Sequence, residues 1–425
     1  MNNDKKIVVP TARQIEWADC EVGVLIHFDL EVYAPHYFEQ YPPHDRSGLK
    51  LFNPDNLDTD QWIETAVKAG AKYALLTARH GTGFTLFPST ANDFSIADTP
   101  YQNGKGDIVA SFVASCKKYG VRPGFYYNTG ASHYHGFAGG LPTDGDRTKL
   151  EAYNRTVLQQ VEELWSRYGE LFEIWFDGGC LPPEQGGPDI VPLLRKYQPN
   201  AITYQSPPTV PNGIRWVGNE EARAEKNTWS TMEYSVDSFD GVSEVIRAGD
   251  PWGEIWRGVE ADIPIRRART SYSYGWIWRE GEDHAVYSPE DLFDTYLLSV
   301  GRNCNLLIGM VIDEHGLCPQ ADVDAFTGFG KLVKERLGTP LAEYKGDLHA
   351  MEYHLSAPEG KEAKYVVVME DISQGERVLE YNIAGHKRQS IGHKRIEPIP
   401  DGFKEVTITI QKCKDTPALK GIWLY

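Results

Sequence analysis

Apolar positions over the first 340 or so residues alternate between two patterns. Short continuous runs, "VGVLIHF" (22–28), "KYALLTA" (72–78), "VRPGFYYN" (121–128) and "LFEIWFD" (171–177), read as strands buried on both faces. Between them lie longer segments with helical spacing. In "DQWIETAVKAGA", which begins near Asp60, Trp62, Ile63, Ala66 and Val67 share one face. "DIVASFVASCKKYG" reads as a helix ended by Gly120, and "TKLEAYNRTVLQQVEELWSRYG" (148–169) as a long helix closed by Gly169. A helix near 189–197 and the strands "AITYQ" (201–205), "IRWVG" (214–218), "GEIWRGVE" (253–260) and "NLLIG" (305–309) continue the alternation, with the helix "SPEDLFDTYLLSVG" before the last strand. Strands that alternate with helices predict parallel pairing through right-handed crossovers. At this length a TIM-like (β/α) barrel fits better than a doubly wound sheet. No Gly-rich phosphate or dinucleotide fingerprint follows a strand.

Beyond about residue 342 the texture changes. "YKGDLHAMEYHLSAPEGKEAKYVVVMED", "RVLEYNIAG", "EVTITIQ" and "KGIWLY" are short alternating runs separated by turn residues, the pattern of an antiparallel sandwich. The expected organisation is a barrel domain over residues 1–341 and a C-terminal β-sandwich over 342–425.

Composition narrows the function more than the fold. A net charge of −17 over 425 residues argues against nucleic acid or an anionic membrane as partner, because either would be repelled. The 12% aromatic content suits sugar-stacking surfaces and a large core equally. The six cysteines are scattered, with no CxxC pair, so they read as free thiols rather than a zinc site. The N-terminus lacks an apolar run long enough for a signal peptide, and no stretch suits a membrane span. A cytoplasmic protein is the default expectation; a periplasmic or secreted protein with its signal removed reads the same. Oligomeric state is left open.

In such a barrel, polar residues at strand C-termini face the catalytic end. Those positions hold His27, then Arg79 and His80, Tyr127 and Asn128, Asp177, and Glu220 with Glu221 after "RWVG". There is no nucleophilic Ser or Cys with a triad around it. Two carboxylates on different strand ends suit glycosidic bond cleavage. Each residue also has an ordinary reading. Asp177-Gly178-Gly179 is a turn sequence, His27 fits a hydrogen-bonded core histidine, "ARHG" fits a turn, and "GNEE" fits a solvated acidic turn. His133 and His135 in "SHYH" resemble a metal-binding tract but lack carboxylate or Cys partners, so no metal or cofactor is expected. Shared placement at strand ends, rather than any one residue, points to a site.

Four stretches together resemble the α-L-fucosidases of glycoside hydrolase family 29. "GVLIHFD" (23–29) is similar to the family's first-strand motif, normally ending His-Trp-Gly. "LLTARHGTGFTLFPS" (75–89) resembles its Thr-Ala-Lys-His-His-Asp-Gly-Phe segment, "EIWFDGG" its nucleophile strand, and "SVGRNCNLLIG" (299–309) its late-barrel signature. The resemblance implies a retaining enzyme with Asp177 as nucleophile and no cofactor. "RWVGNE" is similar to the subgroup acting on α-1,3/1,4-linked fucose, which implies Glu220 as acid/base, with Glu221 as the fallback. It further implies that His27 and His80 bind sugar hydroxyls with Tyr127 nearby, that His27 or Arg79 supports the charge on Asp177, and that Trp276 packs on the fucose methyl group. The substrate it implies is a fucosylated oligosaccharide or glycoconjugate. The sequence departs from the motifs at Phe28, Asp29, Gly81 and Thr82, where the family has Trp, Gly, His and Asp. His133 or His135 is the candidate replacement for the missing second histidine. The alternatives are an α-L-galactosidase on the same scaffold and a non-catalytic glycan-binding protein.

Overall fold

Eight parallel strands close into a barrel, and two four-stranded antiparallel sheets follow them. The computed structural model of the protein describes residues 6–207, 209–233, 247–267 and 274–425. The barrel strands are β1 (Val22–His27), β2 (Tyr73–Arg79), β3 (Arg122–Tyr127), β4 (Glu173–Trp175), β5 (Ile202–Tyr204), β6 (Gly213–Trp216), β7 (Val259–Ile263) and β8 (Cys304–Val311). Each pairs with its neighbours in sequence, and β1 closes the ring against β8 in the register Val22↔Leu306 through His27↔Val311.

Strand periodicity decides which side chains meet. Leu25, Tyr73, Leu75, Tyr126, Trp175, Tyr204, Ile214 and Leu307 fill the barrel interior. Val24, Ile26, Ala74, Leu76, Phe125 and Ile174 point outward into a larger layer beneath the helices. That layer is covered by α2 (Thr59–Lys68), α3 (Ile108–Tyr119), α4 (Leu150–Arg167), α5 (Val191–Tyr197), α6 (Pro289–Leu298) and α7 (Gln320–Leu337). Helix ends follow from local chemistry. Asp107 accepts from Ala110 N at the start of α3, and Gly120 ends that helix in the left-handed region at φ 70°. A reciprocal Ser288–Asp291 capping box opens α6. A short N-terminal helix, α1 (Ala12–Ala18), plugs the bottom: Trp17 joins the interior cluster, and Gln14 Nε2 donates to Gly213 O at 3.0 Å.

Two expectations from the sequence shift. Val67 is 43% exposed rather than buried with Trp62, Ile63 and Ala66, because it lies at the edge of the apolar stripe. The run 253–260 does not form one barrel strand. Ile255–Trp256 pairs with Thr231–Met232 outside the barrel, and the barrel strand starts only at Val259. Between them lies Gly258, where an added Cβ would sit 2.5 Å from the Trp256 ring and 2.6 Å from the Trp17 ring.

The antiparallel strands are β9 (Ala342–Leu348), β10 (Glu352–Ser356), β11 (Ala363–Glu370), β12 (Val378–Ile383), β13 (His386–Arg388), β14 (Arg395–Phe403), β15 (Glu405–Cys413) and β16 (Leu419–Leu424). They form sheets in the orders β9-β16-β11-β14 and β10-β15-β12-β13 around their own apolar core, which includes Val366, Val368, Tyr381, Ile408 and Ile422. All six cysteines are free thiols. Among the described residues, no helix is long and apolar enough to cross a membrane.

The seam between barrel and sandwich turns on Asn303, just before β8. Its amide nitrogen donates to Thr228 O at 3.0 Å and Glu376 Oε1 at 2.8 Å, and its oxygen accepts from His393 N at 2.7 Å. Asn303→Ala leaves a buried carbonyl, a buried carboxylate and a buried amide short of partners. The expected loss is about 2–4 kcal/mol of stability, read as a lower urea midpoint; an unchanged midpoint would show the amide to be dispensable.

Candidate active site

Leu25, His27, His80, Tyr126, Trp175, Asp177, Glu220, Asp262 and Trp276 line a cavity at the C-terminal end of the barrel strands, with a volume of about 320 Å³ counted out to its mouth. This is the end at which barrel enzymes carry their chemistry.

Asp177 stands two residues beyond Trp175, the last residue of β4. The chain turns there through Gly178 and Gly179, at φ 66° and 72°, and Gly179 N closes the turn on Phe176 O at 3.0 Å. That backbone favours glycine, so the turn and the presented carboxylate are one device. Tyr126 donates its hydroxyl to Asp177 Oδ2 at 2.7 Å, and Asn128 Nδ2 approaches the same oxygen at 3.4 Å. Two neutral donors thus support the carboxylate.

Glu220 lies at the exposed rim, while Trp276 supplies a hydrogen bond to its carboxyl. Loss of water raises the Glu220 pKa, the Trp276 bond opposes this, and the charge on Asp177 raises it further. Trp276 reaches this position because β8 has Gly309 beneath it. A Cβ there would lie 2.5 Å from the indole ring. The same indole lies 4.9 Å from the His27 ring, centroid to centroid.

The floor is a stack of aromatics. Trp175 lies between Tyr126 and Tyr204, at centroid distances of 5.6 and 3.8 Å. Its indole N–H donates to Glu260 Oε2 at 2.7 Å, and Tyr73 donates to Glu260 Oε1 at 2.6 Å. Burial and the adjacent Glu260 push the Glu173 carboxyl well above its usual range. Asp262 is likewise raised well above the carboxylate range by burial, although Trp216 donates to its Oδ1 at 2.5 Å.

Of the residues singled out from the sequence, the structure brings His27, His80, Asp177, Glu220 and Trp276 together. Six others do not line this cavity, although Asn128 among them reaches Asp177. The Tyr127 hydroxyl points the opposite way from Tyr126, to Gln160 Oε1 on α4 at 2.7 Å, as alternation along a strand requires. Arg79 also faces outward. The pairing Thr77↔Tyr126 is followed directly by Arg79↔Tyr127, so a bulge in β2 flips its side chain toward Asn128 O and the Tyr153 hydroxyl, at 2.6 and 3.1 Å. The donors to Asp177 are therefore Tyr126 and Asn128 rather than His27 or Arg79. His133 Nε2 engages Tyr41 O at 2.6 Å, and His135 Nδ1 engages Ser132 Oγ at 2.8 Å, so neither stands in for the absent histidine. Glu221 is exposed, and its backbone N–H donates to Asn219 Oδ1 at 3.1 Å in the turn.

Tyr126, Trp175 and Asp262 were not singled out from the sequence. Period-two spacing carries the signal for two of them, since Trp175 precedes Asp177 by two residues and Asp262 follows the inward Glu260 by two. Among the described residues no group of His, Cys, Asp and Glu is arranged to hold a metal ion.

The profile of the family described as Alpha-L-fucosidase matches residues 16–336. The Arabidopsis thaliana protein named Alpha-L-fucosidase 1 is 24% identical, over 98% of this chain and 87% of its own length. A solved Bacteroides thetaiotaomicron protein, provisionally described as an alpha-L-fucosidase, superposes with a TM-score of 0.89 at 32% identity and covers 99% of both chains. A glycoside hydrolase 29 family member from an unknown rumen bacterium gives a TM-score of 0.81 at 26% identity, over 99% of this chain and 78% of its own. With the profile spanning most of the chain and a 32% identical relative matching it end to end, this protein belongs to the alpha-L-fucosidase family of glycoside hydrolases.

Proposed function

We propose that the protein is a retaining exo-α-L-fucosidase in which Asp177 is the nucleophile and Glu220 the acid/base. The observation that supports this reading is the meeting, in one cavity, of a carboxylate held by two hydrogen-bond donors and a second carboxyl whose pKa is raised at the rim. Pairs of carboxyls with environments that push them apart are how one site supplies both a nucleophile and an acid near neutral pH.

In the first half-reaction Asp177 attacks the anomeric carbon, forming a glycosyl ester. The bond from that carbon to the leaving oxygen breaks as Glu220 delivers its proton to that oxygen. Glu220, now ionised, takes a proton from water, whose oxygen attacks the same carbon and releases Asp177. The sugar leaves with its configuration retained. Trp276 supplies an apolar face for the sugar ring, and Trp175 and Tyr126 line the floor beneath it. The "RWVGNE" stretch favours α-1,3/1,4-linked fucosyl oligosaccharides as substrates.

One observation favours a second reading, hydrolysis of α-L-galactosides. Gly81 stands where the family motif has histidine, and a Cβ there would meet only the Phe38 ring, at 3.5 and 3.8 Å. That position has room and no imidazole. L-Galactose differs from L-fucose by one added hydroxyl at C6. Incubation with 4-nitrophenyl α-L-fucoside, the corresponding α-L-galactoside and a Lewis-type trisaccharide separates the readings; turnover of none of them would sink both.

Asp177→Asn is expected to abolish nearly all turnover with the fold intact by circular dichroism, and an unimpaired variant would remove Asp177 from the role. Glu220→Ala is expected to lose about 10²–10⁴-fold on oligosaccharides, to lose much less on aryl glycosides with good leaving groups, and to be partly rescued by azide. The same behaviour in Glu221→Ala would move the role by one residue. The pH profile has a definite sign. The first step needs protonated Glu220, so kcat/KM falls as pH rises through its raised pKa. Glu220→Gln is expected to flatten that alkaline limb, as read from kcat/KM on an activated aryl fucoside.

A further inference from the structure

His80 enters the cavity with its back against two buried carboxyls. Asp29 and Glu31, on the turn after β1, have side chains only 1% and 3% exposed. Asp29 Oδ2 lies 3.7 Å and Glu31 Oε2 3.9 Å from His80 Nδ1. That nitrogen is buried and has no closer polar partner. The His80 side chain is still 21% exposed, so the edge that meets the cavity is the opposite one, carrying Nε2.

Both carboxyls are held from behind. Thr82 Oγ1 is 2.7 Å from Asp29 Oδ1 and 2.9 Å from Oδ2, and the Leu30 backbone N–H donates to Oδ1. Arg279 NH2 lies 3.5 Å from Glu31 Oε1, and its NH1 donates to the Glu31 carbonyl at 2.8 Å. The other groups around the cluster are Asp177 across the His80 ring, His27 and Tyr126 with centroids at 5.5 Å from it, and the buried, unpartnered Tyr37 hydroxyl near Asp29. Among the described residues, Arg279 is the guanidinium that pairs with this cluster.

We propose that Asp29 and Glu31 are positioning residues that hold His80 in the Nδ1–H tautomer, so that Nε2 faces the cavity as a hydrogen-bond acceptor for a sugar hydroxyl. A neutral imidazole has one donor and one acceptor, and a carboxylate beside one nitrogen assigns the proton to it. His80 is kept neutral because burial lowers its pKa, with Asp177 opposing. Burial pushes Asp29 up to about 8, helped by Glu31, and Glu31 up to about 7, opposed by Arg279. Between those two values the pair therefore carries about one negative charge, mostly on Glu31, enough to orient the ring without charging it. The 3.7 Å separation shortens when a hydroxyl engages Nε2 and polarises the ring. The substrate feature this selects is a hydroxyl donating toward Nε2, and a sugar deoxygenated there leaves His80 unpaired.

The identity of the sugar rests on the fucosidase reading; the tautomer does not. The test is the long-range ¹H–¹⁵N spectrum of the protein labelled at histidine, with His80→Gln to assign the signal. The expected wild-type signal has a protonated Nδ1 and a bare, pyridine-like Nε2. In Asp29→Asn/Glu31→Gln the proton moves to Nε2. KM for the aryl fucoside rises about 10–100-fold with kcat changed less, as second-layer partners of a ligating imidazole do. An inflection of kcat/KM between about pH 7 and 8 is lost with the pair. Where the double variant does not fold, Glu31→Gln alone and Thr82→Val give the same displacement in part. A wild-type Nε2–H signal, or a tautomer unmoved by these substitutions, overturns the proposal. A protein with the expected tautomer that cleaves no fucoside overturns the activity instead.

Discussion

Closure of the barrel, with β1 bonded to β2 on one side and to β8 on the other, is the constraint on which the rest depends. An open sheet would leave His27 and Trp276 far apart, whereas the closed ring sets their rings 4.9 Å from each other. Closure forces every second side chain inward, and the interior is filled by large aromatics rather than left as a pore. Those aromatics are also the floor of the cavity. Packing of the core and shaping of the site are therefore the same event, and a residue such as Trp175 serves both.

Carboxyl groups crowd this end of the barrel, and their environments keep them from acting alike. Asp177 accepts from Tyr126 and Asn128. Glu220 sits at the rim against an indole, while Asp262 is buried enough to favour the protonated form. Simultaneous ionisation of all of them in so small a volume would cost far more than a domain's net stability. Burial eases the conflict by keeping a proton on Asp262. The same logic extends behind His80, where Arg279 compensates one carboxyl of a close pair.

The departures from the family motifs meet in space. Asp29 stands where the motif has glycine and Thr82 where it has aspartate, and these two side chains hydrogen-bond each other. A carboxylate absent from the second strand is thus supplied by the first, next to the same histidine. Gly81, between His80 and Thr82, lies beyond the end of β2, and a Cβ there would meet only the Phe38 ring. Local substitutions have altered the surroundings of one imidazole while the strands that carry it keep their pairing.

Much of this was legible in the sequence. Continuous apolar runs, amphipathic helices ended by glycine and the change to alternating strands near residue 342 specify a barrel followed by sheets, because secondary structure of this regularity is set by periodicity over short windows. The position of Asp177 was legible too, since a buried strand running into Asp-Gly-Gly has to present the aspartate at the point where it turns. Facing was not. Whether Tyr126 or Tyr127 looks inward depends on the phase of alternation, and Arg79 on a bulge visible only once β2 and β3 are paired. Nor does spacing along the chain reveal that Asp29 meets Thr82, or that Gly309 makes room for Trp276. The sequence by itself determined the elements and the strand end that carries Asp177, since both follow from neighbours in the chain. Only the tertiary structure decided which side chains share the cavity, because that depends on register, bulges and close approaches between segments that are neighbours only after folding.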